Sequence, residues 1–231
     1  MIKKILNNKW MLRSLIKTVY FNFHYLPFSQ AIKLPIILYK PHFLKLKGRI
    51  IIQGNVRTGM ITLGRNIVSI YPDTGINIEN HGGTIIFQGH CLIGNNSSIS
   101  VGEKSTVTIG SNFIATTTLR LISYHKISID ENVLCGWNCM FVDTDFHKLT
   151  LLPSRTCPPA FGEIEIGRDC WMAMNSTVMK NGKIGDYCVV AGNSIINKDF
   201  SEYTYCLLAG QPADVKKRGI FRDRNNDVVE Y

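Results

Sequence analysis

Ile166, Met172, Val178, Ile184, Val190 and Ile196 recur every sixth residue and are all apolar. Four residues after each of the first five stands a small residue: Cys170, Ser176, Gly182, Cys188 and Ser194. Gly167, Ala173, Gly185 and Ala191 follow the apolar position directly. A period of six is neither helical nor a simple strand alternation. A short strand and a tight corner every six residues let three faces close a triangular coil. The aliphatic then points into a prism and the small residue fits a crowded corner, which is the signature of a β-helix. Upstream, Leu63, Ile93, Val101, Ile109 and Ile129 open similar units, but the steps Ile93 to Val101 to Ile109 are eight residues, so enlarged corners are expected there. The composition from Gly48 onward, rich in Ile, Val, Thr, Asn and Gly, is that of strands and turns. The fold class expected is therefore all-β, a parallel β-helix with a small helical N-terminal segment and a short C-terminal tail. Its parts are residues 1–47, a repeat domain over 48–215 with a projecting loop near 143–165, and a tail over 216–231.

Charge is distributed unevenly. Of the 26 Lys and Arg residues, twelve precede Asp73, the first acidic residue, and the remaining fourteen face seventeen acids. The net charge of +9 thus belongs to the N-terminal part. Residues 1–47 also carry Tyr20, Phe21, Phe23, Tyr25 and Phe28, and a helix is expected from about Lys9 to Asn22. Its apolar stretches are interrupted by Lys17, Lys33, Lys40, Pro27, Pro35 and Pro41, so none has the length a membrane-spanning helix requires. Two uses fit a basic aromatic segment: a cap over the first coil, or peripheral contact with anionic membrane. A nucleic-acid partner is not expected, since the repeat domain offers no module for one. Seven cysteines without a C-x-x-C pair and no export signal point to a reducing cytoplasm, at most with the chain resting on the inner face of the membrane.

The candidate chemistry lies where the repeat breaks. Ile129, Cys135 and Phe141 run at six-residue steps, and the next step would put His147 inside the prism. Between Asp143 and Glu165 the order gives way to a polar stretch, as expected of a loop held on a rigid scaffold. In an extended Phe141-Val-Asp-Thr-Asp-Phe-His147, alternation sets Asp143, Asp145 and His147 on one face. A carboxylate on one imidazole nitrogen leaves the other free to take a proton from an attacking hydroxyl. A solvated turn and a metal-like cluster are the alternative readings. No metal is expected, because the other histidines are scattered. Cys170 and Cys188 are explained as small buried corner residues rather than nucleophiles.

Ile166-Gly-Arg-Asp-Cys-Trp171, Ile184-Gly-Asp186, Ala191-Gly-Asn-Ser194, Asn197-Lys-Asp199 and Ala209-Gly-Gln-Pro-Ala213 resemble, in that order, the C-terminal pattern of hexapeptide-repeat acetyltransferases. With Asp143-Thr-Asp-Phe-His147, Tyr20-Phe-Asn-Phe, Leu26-Pro-Phe and Leu34-Pro-Ile, the chain most resembles the branch that O-acetylates capsular, lipopolysaccharide and related surface glycans. The resemblance implies a left-handed β-helix, a homotrimer with active sites between subunits, acetyl-CoA as acetyl donor and a carbohydrate acceptor. It implies that His147 deprotonates the acceptor hydroxyl for direct transfer, with Asp145 or Asp143 orienting it. The resemblance implies that Trp171 stands on the acceptor side, where Arg155 and Asn138 are further candidates. By the same resemblance Ala173, Met174 and Ala191 are expected to line the pantetheine groove, Pro212 to pack on adenine, and Lys198, Lys216, Lys217 and Arg218 to meet the phosphates. Trp171-Met-Ala-Met174 and Ala191-Gly-Asn-Ser194 depart from the family's usual Trp-Ile-Gly-Ala and Gly-Ala-Gly-Ser. Transfer to the nitrogen of an amino sugar, or a β-helix that only binds, are the rival functions.

Overall fold

In the computed structural model, which describes residues 9–230, strand pairs with strand three places on to build three parallel sheets. One sheet runs from Ile36–Leu38 through Cys206–Gly210, a second from Pro41–Leu46 through Ile195–Ile196, and a third from Arg49–Ile52 through Asp199–Phe200. Each coil thus contributes one strand to each face of a prism. Its axis is filled by inward ladders such as Ala115, Cys135, Met172, Val190 and Leu208, all fully buried. The whole six-residue series from Ile166 to Ile196 points inward, and Cys170, Ser176, Cys188 and Ser194 are buried at the corners. Burial pushes the Cys188 thiol up to about 11 and Cys170 higher still, so neither is a thiolate at neutral pH.

Two of the three corners keep a six-residue step throughout the middle of the molecule. One carries the chain from the third sheet to the first, as in Phe87 to Ile93, Ile109 to Ala115 and Ile166 to Met172. The other carries it from the first sheet to the second, as in Ile93 to Ile99, Ala115 to Leu121 and Cys135 to Phe141. Both turn through a left-handed residue: Asn96, Thr118, Asn138, Asn175 and Asn193 at one, and Asn112, Asn132, Asp169, Tyr187 and Tyr205 at the other. Asn and Asp tolerate this conformation because their short polar side chains bond locally. Here they also bond between coils, as Asn138 Nδ2 does to Asn175 Oδ1 (3.1 Å) and Asn175 Nδ2 to Asn193 Oδ1 (3.0 Å). Where the next coil's backbone passes close over a corner, only glycine fits; a Cβ on Gly94 would overlap the Thr116 carbonyl. The third corner varies in length. Ile99 to Ile109, Leu121 to Ile129, Phe141 to Ile166 and Val178 to Ile184 are four different spans. The eight-residue steps expected from Ile93 to Val101 to Ile109 resolve accordingly into six, Ile93 to Ile99, and ten, Ile99 to Ile109. Val101 is a second inward residue at the end of the same strand, Ser97–Val101.

Both ends of the prism correct the expected boundaries. The N-terminal helix α1 spans Lys9–Tyr25, three residues longer than expected, and a short helix α2 spans Phe28–Ala31. The repeat domain opens at Ile36 rather than at 48, because Ile36–Leu38 pairs in parallel with Ile61–Leu63. At the other end Lys216, Lys217 and Arg218 belong to strand Ala213–Arg218, which folds back antiparallel on Cys206–Gly210, so the irregular tail begins beyond them.

Ser14, Thr18 and Asn22 fix α1 to the open edge of the first coil. Ser14 Oγ accepts from Lys40 N (3.0 Å), Thr18 Oγ1 from Leu38 N (3.0 Å) and Asn22 Oδ1 from Ile36 N (3.1 Å), while Asn22 Nδ2 donates to Ile36 O (2.7 Å). Four residues of helix rise about 6 Å and two of strand about 6.6 Å, so the i, i+4 series matches every second strand residue. Phe21 and Ala31 close the apolar contact beneath.

Candidate active site

The projecting loop leaves the variable corner after strand Met140–Val142 and returns at Ile164–Ile166, so Glu163 is its last residue. Its base is an antiparallel ribbon. Thr144 bridges Phe161, Asp145 N donates to Ala160 O (2.7 Å) and Gly162 N donates to Asp143 O (2.9 Å). At the tip, Arg155 N donates to Leu151 O (2.8 Å), and Arg155 itself is exposed in a left-handed conformation. His147 is exposed. It has left the inward ladder Ile129, Cys135 and Phe141.

The expected common face of Asp143, Asp145 and His147 does not form. Asp143 is fully buried and accepts from Ser123 Oγ (2.7 Å), Tyr124 N (2.7 Å) and His125 N (2.9 Å). It anchors the loop to the coil below and does not orient the histidine. Asp145 Oδ2 instead takes Lys180 Nζ at 2.5 Å, and the same ammonium donates to Pro159 O at 3.0 Å, pinning the two arms of the ribbon together. The reason is a turn at Phe146, which adopts φ 59° with its N–H bonded to Thr144 Oγ1 (3.0 Å); alternation requires an extended chain and stops there. Phe146 packs edge-on against Tyr124 with ring centroids 5.0 Å apart, and Phe161 lies 4.7 Å from the His125 ring. Farther along the same edge, Glu79 Oε1 accepts from His81 Nε2 (2.7 Å) and Ser100 Oγ (2.8 Å), which hold the Glu79 carboxyl below its ordinary range. Lys180, Tyr124 and His125 were not singled out from sequence. The repeat itself carried the signal: each stands two to four residues after an inward residue of the second sheet, at the corner where Asp143 follows Phe141, and Lys180 stands at the same step as Asp143.

The remaining expected residues divide between edges. Ala173, Met174 and Ala191 lie at the Asn138–Asn175–Asn193 corner, and Gln211 Nε2 donates to Asn193 O (2.6 Å), bringing Pro212 to the same edge. The Ala173 and Ala191 N–H groups are committed to Val190 O and Leu208 O, both at 2.9 Å, so they are not free to bind a ligand; their small side chains are what leave space. Met174 is 52% exposed there. Lys198 stands on the loop's own edge, one coil beyond Lys180, and its ammonium is 3.7 Å from Asp214. Lys216, Lys217 and Arg218 are exposed on the last strand, the Arg218 guanidinium 5.0 Å from the Tyr203 ring centroid. Asn138 is a corner residue bonded to Tyr71 and Asn175, which explains it without an acceptor. Trp171 belongs to an outward ladder on the first sheet, paired across successive coils as Leu92, Ile114, Leu134, Trp171, Val189 and Leu207. A continuous apolar strip of this kind is unusual for a surface that faces only water. Within one chain, the loop and the alanine corner lie on different edges of the prism.

A solved structure of the polySia-specific acetyltransferase NeuO aligns with 81% of this chain and 74% of its own, at 21% identity and a TM-score of 0.54. The fold is the left-handed parallel β-helix of the hexapeptide-repeat acyltransferases. Weaker likenesses include a maltose O-acetyltransferase from Clostridium difficile 630 (TM-score 0.41, 15% identity, 92% of this chain and 89% of that one). Another is a mutant of AntD, an N-acyltransferase from Bacillus cereus, in complex with dTDP and coenzyme A (TM-score 0.47, 16% identity, 76% of this chain and 85% of that one). In sequence, 139 residues are 31% identical to an uncharacterized 24.8 kDa protein in the cps region of Klebsiella pneumoniae. That match takes in 58% of this chain and 60% of the relative's length. No family model matches the chain.

Proposed function

We infer that the chain transfers an acetyl group from acetyl-CoA to a hydroxyl of a surface-polysaccharide sugar, with His147 as general base. The observation that carries this reading is the variable corner. Between Phe87 and Ile196 the other two corners keep a six-residue step, while the third throws out a loop, ties it down through Asp143 and Lys180, and presents an exposed histidine on it. A histidine in water, carried by an anchored ribbon, can take a proton from an acceptor hydroxyl as that oxygen attacks. Lys180 holds Asp145 and Pro159 in place, and the Phe146–Tyr124 pair offers an aromatic wall for a sugar ring. Acetyl-CoA supplies the activated acyl group. Ala173 and Ala191 leave room for its slender arm, and Lys198, Lys216, Lys217 and Arg218 are exposed cations suited to phosphate.

The two half-sites lie on different edges, and the apolar ladder through Trp171 offers a face for a second copy. Both support a homotrimer in which the loop of one subunit meets the alanine corner of the next. NeuO's acceptor and the cps-region relative favour a polysaccharide acceptor.

Incubation with acetyl-CoA and candidate glycans tests the reading, with CoA release and alkali-labile acetyl measured for the parent and His147→Ala. Loss of both signals in the variant, with thermal unfolding unchanged, is the expected result. Equal activity would remove His147 from the mechanism. An alkali-stable product would instead indicate transfer to an amino-sugar nitrogen, and absence of CoA binding by calorimetry a protein that only binds.

A further inference from the structure

Helix α1 has three faces, and the prism uses one. Ser14, Thr18, Phe21 and Asn22 face the first coil and are buried. On the opposite side Leu15, Ile16, Val19, Tyr20 and Phe23 form a stripe at i, i+1, i+4, i+5 and i+8, between 38% and 60% exposed. Phe28, 70% exposed, extends it and packs edge-on against Phe23 with ring centroids 6.0 Å apart. A stripe this wide on a helix whose inner side is already satisfied is a binding surface rather than a misplaced core. On its flank stand the exposed Arg13 and Lys33, and the first 72 residues contain no acid at all.

We propose that this end of the prism docks on an anionic lipid surface, with α1 lying in the plane of the interface and the prism axis standing away from it. The apolar stripe enters the boundary between headgroups and acyl chains, and the basic flank meets the lipid charges. Charge decides the occupant. Pressing two such ends together in a dimer would oppose like charges with no acidic partner from either segment, whereas an anionic surface complements them. Among the described residues no helix is long and apolar enough to cross a membrane, so the contact is peripheral. None of this depends on the transfer chemistry at the far corner.

Co-sedimentation of the full chain with phosphatidylcholine vesicles, with and without phosphatidylglycerol, tests the proposal. Binding is expected only with phosphatidylglycerol and should weaken as salt is raised. Ile16→Asp combined with Phe23→Asp, both outward-facing, should lower partitioning at least tenfold while thermal unfolding and CoA binding stay unchanged. Arg13→Ala and Lys33→Ala should each lower it by about fivefold. Binding indifferent to lipid charge, or retained by the double aspartate variant, would overturn the proposal. So would a fall in oligomer mass in that variant without any vesicle binding by the parent, because the stripe would then be covered by another copy of the chain.

Discussion

The two regular corners of the prism and the third corner solve the same problem, turning the chain from one sheet to the next, under different constraints. At the regular corners a left-handed Asn, Asp or Tyr sits in register with its counterpart in the next coil, and several are bonded to it, so a change of length would break a column of contacts. Among the described residues no column of left-handed residues runs through the third corner, where Ser105, Ser123 and Asp143 bond between coils but the span can still grow from Val178–Ile184 to Phe141–Ile166 without shifting an inward residue. Between Phe87 and Ile196 irregularity is thereby collected on one edge, and so are the polar groups that anchor the loop.

The largest effect expected is the removal of that difference. Replacing Phe146–Pro159 by Asn-Gly would close the ribbon with a two-residue hairpin between Asp145 and Ala160, already joined by a hydrogen bond. Acetyl transfer should fall by about a thousandfold or more, while circular dichroism shows an unfolding midpoint no lower than the parent's. A drop in stability would mean that the loop supports the coils. Asp143→Ala comes next. It strands the buried Ser123 hydroxyl and the half-buried Tyr124 and His125 amides, so chemical denaturation should report a loss of about 2 kcal/mol, with activity falling because the loop loses its anchor. If activity fell with stability intact, Asp143 would act on the chemistry directly.

At a regular corner the balance is reversed. Asn132→Ala places an alanine at φ 63° and removes bonds to Asn112 and Asp169, which should cost about 1–2 kcal/mol in thermal unfolding and leave turnover alone. Asn132→Gly should recover part of that cost. The smallest effect concerns Glu79, whose carboxyl is held low by His81 and Ser100. A group depressed in the folded state stabilises above its ordinary range, and that contribution disappears as pH falls through the lowered value. Glu79→Gln should therefore differ from the parent by about 0.5 kcal/mol or less near neutrality, and the difference should vanish in acid-unfolding measurements below the carboxylate range.

The same contrast explains what could be read in the sequence. From Ile166 to Ile196 all corners are equally short, so the period stands out. From Phe87 on, the earlier coils keep the two six-residue steps but vary the third. Before Phe87 the steps Ile52 to Leu63 and Leu63 to Ile78 are longer as well, and Val101, inward at a strand end, made six residues and ten look like eight and eight. The six-residue ladder extrapolated His147 inward, and only the polar stretch after Asp143 signalled that the chain leaves the prism there, where His147 is exposed. The carboxylate partners were not legible, because alternation assumes an extended chain and the turn at Phe146 is fixed by Thr144, a contact that leaves no periodic trace. Lys180 meets Asp145 only through coil stacking. The start of the repeat domain was similarly hidden: Ile36–Leu38 reads as part of the N-terminal segment until its pairing with Ile61–Leu63 and the hold of Asn22 on its backbone are seen.

That last contact has a consequence of its own. The first strand of a parallel solenoid exposes a row of unpaired amides and carbonyls, a template on which another extended chain could polymerise. Ser14, Thr18 and Asn22 occupy this row with side-chain atoms, imitating a preceding coil with a helix that has no free edge to pass on. Along this sheet, stacking therefore has a definite beginning written in three polar residues, and a chain lacking them would be a seed for fibres as much as a folded protein.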